Sequence, residues 1–596
     1  MPEDEIDPRL AGRRRLLGAL VLAGVGAAAV GGAVAAPPAS GPREGHGDGT
    51  DGHATTAASV DSLPEETGET TALEPAAPPR CDVAWAALPP GAADYDFKRD
   101  ATFTPRGNEG YASYDDRLER EACRKDWTVL VYMAADVGDL APFALWNIHD
   151  METPLEGGGS AASGPRADVL VQLDLDEPKG VRRIHVVPDS DAPDAGLRLS
   201  AADFDARGPA RIRSPIAWYA EDEERSPSRS LEAFLDWGLT HYPSEHVMVV
   251  LWGHGAGWRG RSRDEAMRRA CPAKPDGSAD FIRDGGIGPD CSAGTVLDIP
   301  ALADTLRAAA RRHRDGRPID VLANDACLMQ SVEVTAELID AARYIVGYEQ
   351  IAPHAGLPYR ALLPWLNGAR APTPDDACDP KHAPACEVAA LIPRVYEQAV
   401  DEGFFTERRR DEHEAPVAET YTISAVDADA LDRALVPALA DLARALSAAL
   451  QENPLLGVGL SIMFDPPSRP PFDAGSLPAF LGGPRDLGVL LTAIEAQVDF
   501  VKTDPTAPAE AALREAITRT RAATDAAILR RAEGSRYDPP DYPAGLAGLT
   551  IWLPRDEAEF RERSPDFTSA RFYERARIGD SDGWEGWIAE AFAPPP

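Results

Sequence analysis

Two short runs place a residue capable of covalent chemistry at the end of an apolar strand. Asn324-Asp325-Ala326-Cys327-Leu328-Met329 follows the strand-like run Ile319-Asp320-Val321-Leu322-Ala323. Leu328, Val332, Thr335, Leu338 and Ile339 then recur at helical spacing, so a helix is expected to open at Cys327. A cysteine at such a corner would sit in the positive field of a helix N-terminus, which favours the nucleophilic thiolate. The second run, Val249-Val250-Leu251-Trp252-Gly253-His254-Gly255-Ala256-Gly257-Trp258, ends an apolar strand on a histidine. Alone, Cys327 reads as a buried core residue and His254 as a turn residue between glycines. Two parallel strands ending on a Cys/His pair point instead to a nucleophile and its base.

Other chemistries fit less well. Gly253-x-Gly255-x-Gly257 continues into neither a dinucleotide nor a phosphate-loop pattern. The 11 histidines and seven cysteines form no CxxC, HExxH or HxxxH spacing, so no zinc site is expected. Six cysteines fall into sequence-near couples, Cys81/Cys123, Cys271/Cys291 and Cys378/Cys386, among the 15 connectivities that six cysteines allow. Cys327 is left over. With 97 acidic against 60 basic residues and a net charge of −37, the chain has no general attraction for nucleic acid or anionic membranes.

The elements that must position the pair read as an α/β protein. Strand-like runs cover Trp127–Ala134, Asp168–Asp174, Arg182–Val187, the His254 and Cys327 strands, and Tyr344–Gly347 before Glu349. Helical patterns fall near 140–151, 230–242, 299–312, 388–403 and 427–451. This alternation predicts a mostly parallel sheet flanked by helices, with the site beyond the carboxyl ends of its strands. Two later strand phrases, Gly457–Phe464 and Gly545–Leu553, predict a C-terminal α/β extension.

At 596 residues more than one domain is expected. Residues 1–36 read as a twin-arginine-like signal: Arg13-Arg14-Arg15, an uncharged stretch Leu16–Ala36, and small residues at Ala33-Val34-Ala35. The same stretch is long enough to serve as an anchor if retained, and no other apolar segment reads as a span. Residues 37–80 read as a disordered linker or pro-segment. Residues 81–124 read as a wrapping segment, 125–370 as the catalytic domain and 388–596 as the C-terminal α/β region. The expected location is secreted, periplasmic or cell-surface.

Taken in order, these motifs resemble the clostripain-like cysteine peptidases, whose sheet is related to that of caspases and gingipains. The resemblance rests on Trp127–Asp136, on Tyr242-Pro243 ahead of Leu251–Trp258, on Asp325–Met329 with Glu333, and on Tyr348-Glu349 and Gly459–Ile462. It implies a caspase-like catalytic fold, Cys327 as nucleophile, His254 as general base and acid, and an oxyanion hole from the Gly255 and Cys327 N–H groups. It implies that Asp325 lines a pocket selecting Arg or Lys before the cut; helix capping is the plainer reading of that aspartate. It implies a precursor that cleaves itself after a basic residue between histidine and cysteine, where Arg259, Arg261, Arg263, Arg268, Arg269, Lys274 and Arg283 lie. No cofactor is required; calcium stays open, with Asp174-Leu175-Asp176-Glu177 as an acidic loop. The expected partners are proteins or peptides with basic residues. An inactive surface-binding or adhesion protein on the same scaffold, and a transpeptidase, are the alternatives.

Overall fold

In a computed structural model, the structure describes residues 124–137, 140–153, 161–175, 179–188, 214, 216–220, 226–258, 286–353, 355–368, 378, 383–402, 421–453, 455–456, 484–501, 507–534 and 546–553, with Trp584 and Trp587. The expected signal, linker and wrapping segment up to residue 123, the basic insertion at 259–285 and the Gly457–Phe464 phrase lie outside the described residues.

The strands are β1 (Lys125–Ala134), β2 (Ala167–Leu175), β3 (Gly180–His185), β4 (Ile216–Ala220), β5 (Ser244–Trp252), β6 (Ile287–Asp290), β7 (Thr295–Leu297), β8 (Ile319–Asp325), β9 (Ala342–Tyr348), β10 (Thr422–Asp427), β11 (Pro484–Asp486), β12 (Ile528–Glu533) and β13 (Thr550–Trp552). The helices are α1 (Ala141–Glu152), α2 (Pro227–His241), α3 (Ile299–His313), α4 (Val332–Glu337), α5 (Tyr359–Leu366), α6 (Ala383–Asp401), α7 (Ala428–Glu452, with a π turn at Leu431–Leu435), α8 (Leu487–Phe500) and α9 (Pro508–Ala527).

Nine strands form one sheet in the order β12-β10-β9-β8-β5-β1-β2-β3-β4. Its five central strands, β9, β8, β5, β1 and β2, are parallel. They are the near-continuous apolar runs, as strands covered on both faces must be. Each edge adds antiparallel strands: β3 and β4 on one side, β10 and β12 on the other. The strand-helix alternation read from sequence therefore gives way to a meander at β2-β3-β4. The C-terminal strands β10 and β12 join the main sheet, whereas β13 pairs with β11 in a separate two-stranded ribbon.

The period-2 pattern divides the core. Leu130, Tyr132 and Ala134 of β1, with Val247, Val249 and Leu251 of β5, face one apolar cluster shared with α2, α3, α7, α8 and α9. Val129, Val131 and Met133, with Met248, Val250 and Trp252, face a second cluster against α1, α5 and α6. Helix α7 is long and apolar enough to cross a membrane, which the sequence reading did not foresee. Its Leu431, Leu435, Leu439, Leu442 and Leu446 are buried in the first cluster, as a core helix requires.

Candidate active site

Strand order reverses between β1 and β5: β2 lies to one side of β1, while β5, β8 and β9 follow in sequence on the other. Crevices form beyond the carboxyl ends of strands at such a reversal. The β5–β8 register pairs Trp252 with Asp325, and the Gly253 N–H donates to the Asp325 carbonyl at 3.3 Å. His254 and Cys327 each lie two residues beyond that matched pair. They occupy neighbouring corners of strands about 4.8 Å apart. Both are partly exposed, while the strand residues before them are buried.

The glycines of the histidine run let its backbone press against the cysteine corner. A Cβ on Gly255 would collide with the Cys327 carbonyl oxygen and lie 3.0 Å from the Cys327 nitrogen. A Cβ on Gly257, whose φ is +65°, would lie 2.9 Å from the Leu328 carbonyl oxygen. The histidine run also forms a ribbon with the start of β6. Gly288 N–H donates to the His254 carbonyl and Ala256 N–H to the Gly286 carbonyl, both at 2.9 Å. Gly255 opposite Ile287 is thus the non-bonded pair of this ribbon, and its own N–H turns away from β6.

At the cysteine the structure departs from expectation. No helix opens there: α4 begins at Val332, with Ser331 as its cap, accepting from the Val334 N–H at 3.3 Å. Leu328 instead takes φ +61°, a left-handed conformation costing a side-chain-bearing residue about 1–2 kcal/mol. This turn is held because the Leu328 N–H donates to the Gln350 carbonyl at 3.0 Å. A donor from the loop after β9 faces the sulfur: the Ala352 N–H lies 3.2 Å from Cys327 Sγ. An amide hydrogen there takes the place that the sequence reading gave to a helix terminus.

The C-terminal region supports this corner from behind, which the sequence did not reveal. The Gln330 amide donates to the Ser424 carbonyl (3.1 Å) and hydroxyl (2.9 Å) on β10. The Gln330 carbonyl accepts from the Thr550 N–H at 3.0 Å. Glu333 accepts from the Trp552 N–H at 2.7 Å. Trp252 and Trp258 are buried packing residues, and Trp258 meets Trp552 edge-on.

Asp325 caps no helix. It shares the parity of Val321 and Ala323 and so points to the α1, α5 and α6 face. Its Oδ2 accepts from the Leu357 N–H and the Tyr359 hydroxyl, both at 2.8 Å. Its Oδ1 is buried without a hydrogen-bond partner, and among the described residues no Lys or Arg side chain bonds to the carboxylate. Burial pushes its pKa up to about 6, against the pull of the Leu357 amide and the Tyr359 and Tyr348 hydroxyls.

Asp136 orients a loop. Its carbonyl accepts from the Cys291 N–H (3.0 Å) and its Oδ2 from the Ser292 N–H (3.1 Å). Burial and the facing Asp290 raise its pKa to about 6. Cys378 and Cys386 are disulfide-bonded, Cys291 is also in a disulfide, and Cys327 is in none. The pairing of Cys291 with Cys271, and Asp176 and Glu177 of the acidic loop, fall outside the described residues. No three metal-binding side chains converge among the described residues, and no step below is routed through calcium.

A cysteine thiol and an imidazole at adjacent carboxyl ends of a parallel sheet are the groups that a cysteine peptidase on an α/β scaffold uses. The family model of the Clostripain family matches residues 212–464, the span that contains His254, Asp325 and Cys327. Over that span, 253 of the 596 residues, the chain is similar to the clostripain family of cysteine peptidases. No curated protein matches it. Among solved structures it is similar to a secreted C11 cysteine protease from Bacteroides thetaiotaomicron in complex with an irreversible peptide inhibitor, at 16% identity and a TM-score of 0.46, over 76% of this chain and 98% of that one. An inactive zymogen C11 protease from Parabacteroides distasonis is similar at 16% identity and a TM-score of 0.43, over the same shares of the two chains.

Proposed function

We propose that the chain is an exported endopeptidase that hydrolyses peptide bonds after Arg or Lys, with Cys327 as nucleophile and His254 as general base and acid. The thiolate attacks the scissile carbonyl carbon and forms the C–S bond, and the amide N–H groups of Gly255 and Cys327 receive the oxyanion. On collapse the C–N bond breaks, and His254 gives its proton to the leaving amine. Water then attacks the thioester, His254 takes a proton from it, and the acid leaves as the thiolate is restored. These groups suffice for the chemistry, so the proposal requires no cofactor. Export rests on the signal-like residues 1–36. Self-processing rests on the basic insertion at 259–285, whose flanks are joined by the Gly286 N–H to the Gly257 carbonyl at 2.8 Å.

The observation that carries the specificity is the buried, half-satisfied carboxylate of Asp325, two residues before the thiol. A buried negative charge without a cation is costly, and an incoming guanidinium or ammonium would relieve that cost. Fluorogenic peptides with Arg, Lys, Asp or Leu before the cut test the proposal on wild type, Cys327→Ala and Asp325→Ala, with and without calcium and prior nicking. Turnover is expected to be strongly biased to Arg or Lys peptides over Asp or Leu, and to be abolished in Cys327→Ala. Asp325→Ala is expected to lower kcat/KM for them by about 10²–10³. Turnover of all four peptides alike, or surviving activity in Cys327→Ala, would refute it.

A further inference from the structure

We propose that Tyr359 is a positioning residue for substrate selection: its hydroxyl fixes one oxygen of the Asp325 carboxylate so that the other is left to receive the basic side chain. The inference rests on the reading of Asp325 as the selecting carboxylate, and it adds the group that sets that carboxylate's orientation and charge.

One short segment grips a single oxygen. Leu357 gives its N–H and Tyr359, the first residue of α5, gives its hydroxyl; both reach Oδ2 at 2.8 Å. The segment cannot retreat without losing its close approach. Gly356 takes φ +67°, and a Cβ there would lie 2.7 Å from Oδ2 and 3.0 Å from Trp252 Nε1. With Oδ2 doubly held, Oδ1 is the unpartnered atom. A carboxylate free to rotate would share both oxygens with the loop and present no fixed acceptor.

The titratable groups facing Asp325 come from three elements: Tyr348 of β9, Tyr359 of α5 and Tyr396 of α6. Trp252 of β5 and Asn147 of α1 complete the surroundings of Gly356 without adding charge. Burial pushes all three phenols well above their usual range, so they stay neutral donors at any working pH. With no Lys or Arg side chain bonded to Asp325 among the described residues, the Tyr359 hydroxyl is one of the few groups that favour its charged form. Removing it is expected to make the carboxyl hold its proton to higher pH and to let it turn.

Tyr359→Phe keeps the ring and deletes the donor. Rates would be measured from pH 5 to 8 on peptides with Arg or Gln before the cut, beside wild type and Asp325→Asn, and normalised to the Cys327 thiol titre so that misfolded protein does not count. Tyr359→Phe is expected to raise KM for the Arg peptide about tenfold, with kcat changed less than about threefold. The acid limb of its kcat/KM is expected to move up by about one pH unit, while the Gln peptide shows neither change. Tyr359→Met, a second hydroxyl-free variant, serves if Tyr359→Phe yields no titratable thiol. An unchanged Arg-peptide KM and acid limb, or equal losses for Arg and Gln, would overturn the role of Tyr359. If Asp325→Asn handles the Arg peptide like wild type, the pocket reading itself fails; if Asp325→Asn loses it and Tyr359→Phe does not, only the positioning role fails.

Discussion

The corners that carry Cys327 and His254 lie against each other because of what the residues beside them lack. Gly255 has no side chain where one would strike the Cys327 carbonyl, and Leu328 accepts a left-handed backbone that turns the chain away after the thiol. Gly255→Ala would push the histidine run off the cysteine corner and displace its own N–H. We expect kcat to fall by about 10²–10³, the loss typical of a misplaced oxyanion donor, with the Cys327 thiol still titratable. Activity within threefold of wild type would show that Gly255 is not needed there. The placement of His254, Asp325 and Cys327 at neighbouring strand ends was legible in sequence, because strand ends and glycine spacing are local signals. Tyr359 was not: it lies 34 positions from Asp325, and only the loop after β9 brings its hydroxyl to the carboxylate. The expected helix at Cys327 failed for a similar reason. Leu328, Val332, Leu338 and Ile339 do pack in one apolar cluster, but the left-handed Leu328 and the Ser331 cap delay the helix to Val332.

At the scale of elements, the loop that touches the thiol begins at a buried carboxyl group that faces a second one. Glu349 follows β9 and stands beside Gln350, which bonds Leu328, and close to Ala352, which bonds Cys327. Burial first, then the facing Asp486, pushes Glu349 well above the usual carboxylate range, with Glu533 adding to the rise and Arg531 opposing it. Asp486 keeps the Val489 (2.8 Å), Ala547 (2.7 Å) and Gly548 (3.3 Å) N–H donors, so the proton of the pair resides on Glu349. The folded state therefore binds this proton more tightly than the unfolded chain, whose Glu titrates near 4.5. The stability it contributes is full below that value and is lost as pH rises through the folded value. Glu349→Gln removes this dependence. Its Tm relative to wild type is expected to climb steadily from pH 5 to pH 9; a constant difference would contradict the protonated Glu349. Elements with long apolar runs, β1, β2, β5, β8 and β9, were readable. The edge strand β12, Ile-Leu-Arg-Arg-Ala-Glu, was not, because it is mostly half-exposed and carries no alternation. Nor could sequence spacing show that β10 would pair with β9 across the 73 residues 349–421.

Over the whole molecule, the C-terminal region is part of the catalytic scaffold. Strands β10 and β12 complete the main sheet, and Gln330, Glu333 and Thr550 tie the turn behind the thiol to β10 and β13. The surplus of acid, −37 overall, favours the approach of cationic partners, in keeping with the proposed pocket, whose carboxylate bonds to no Lys or Arg side chain among the described residues. These features support the proposal that Cys327 attacks a peptide carbonyl whose residue carries a basic side chain. The most direct test is covalent trapping: the protein is treated with an irreversible thiol-reactive peptide ending in Arg, digested, and the adduct located by mass spectrometry. We predict one peptidyl-Arg adduct, on Cys327, absent from Cys327→Ala and formed far more slowly by Asp325→Ala and by wild type offered the Leu analogue. An adduct elsewhere, or labelling of Cys327 at equal rates by the Arg and Leu reagents, would contradict the account.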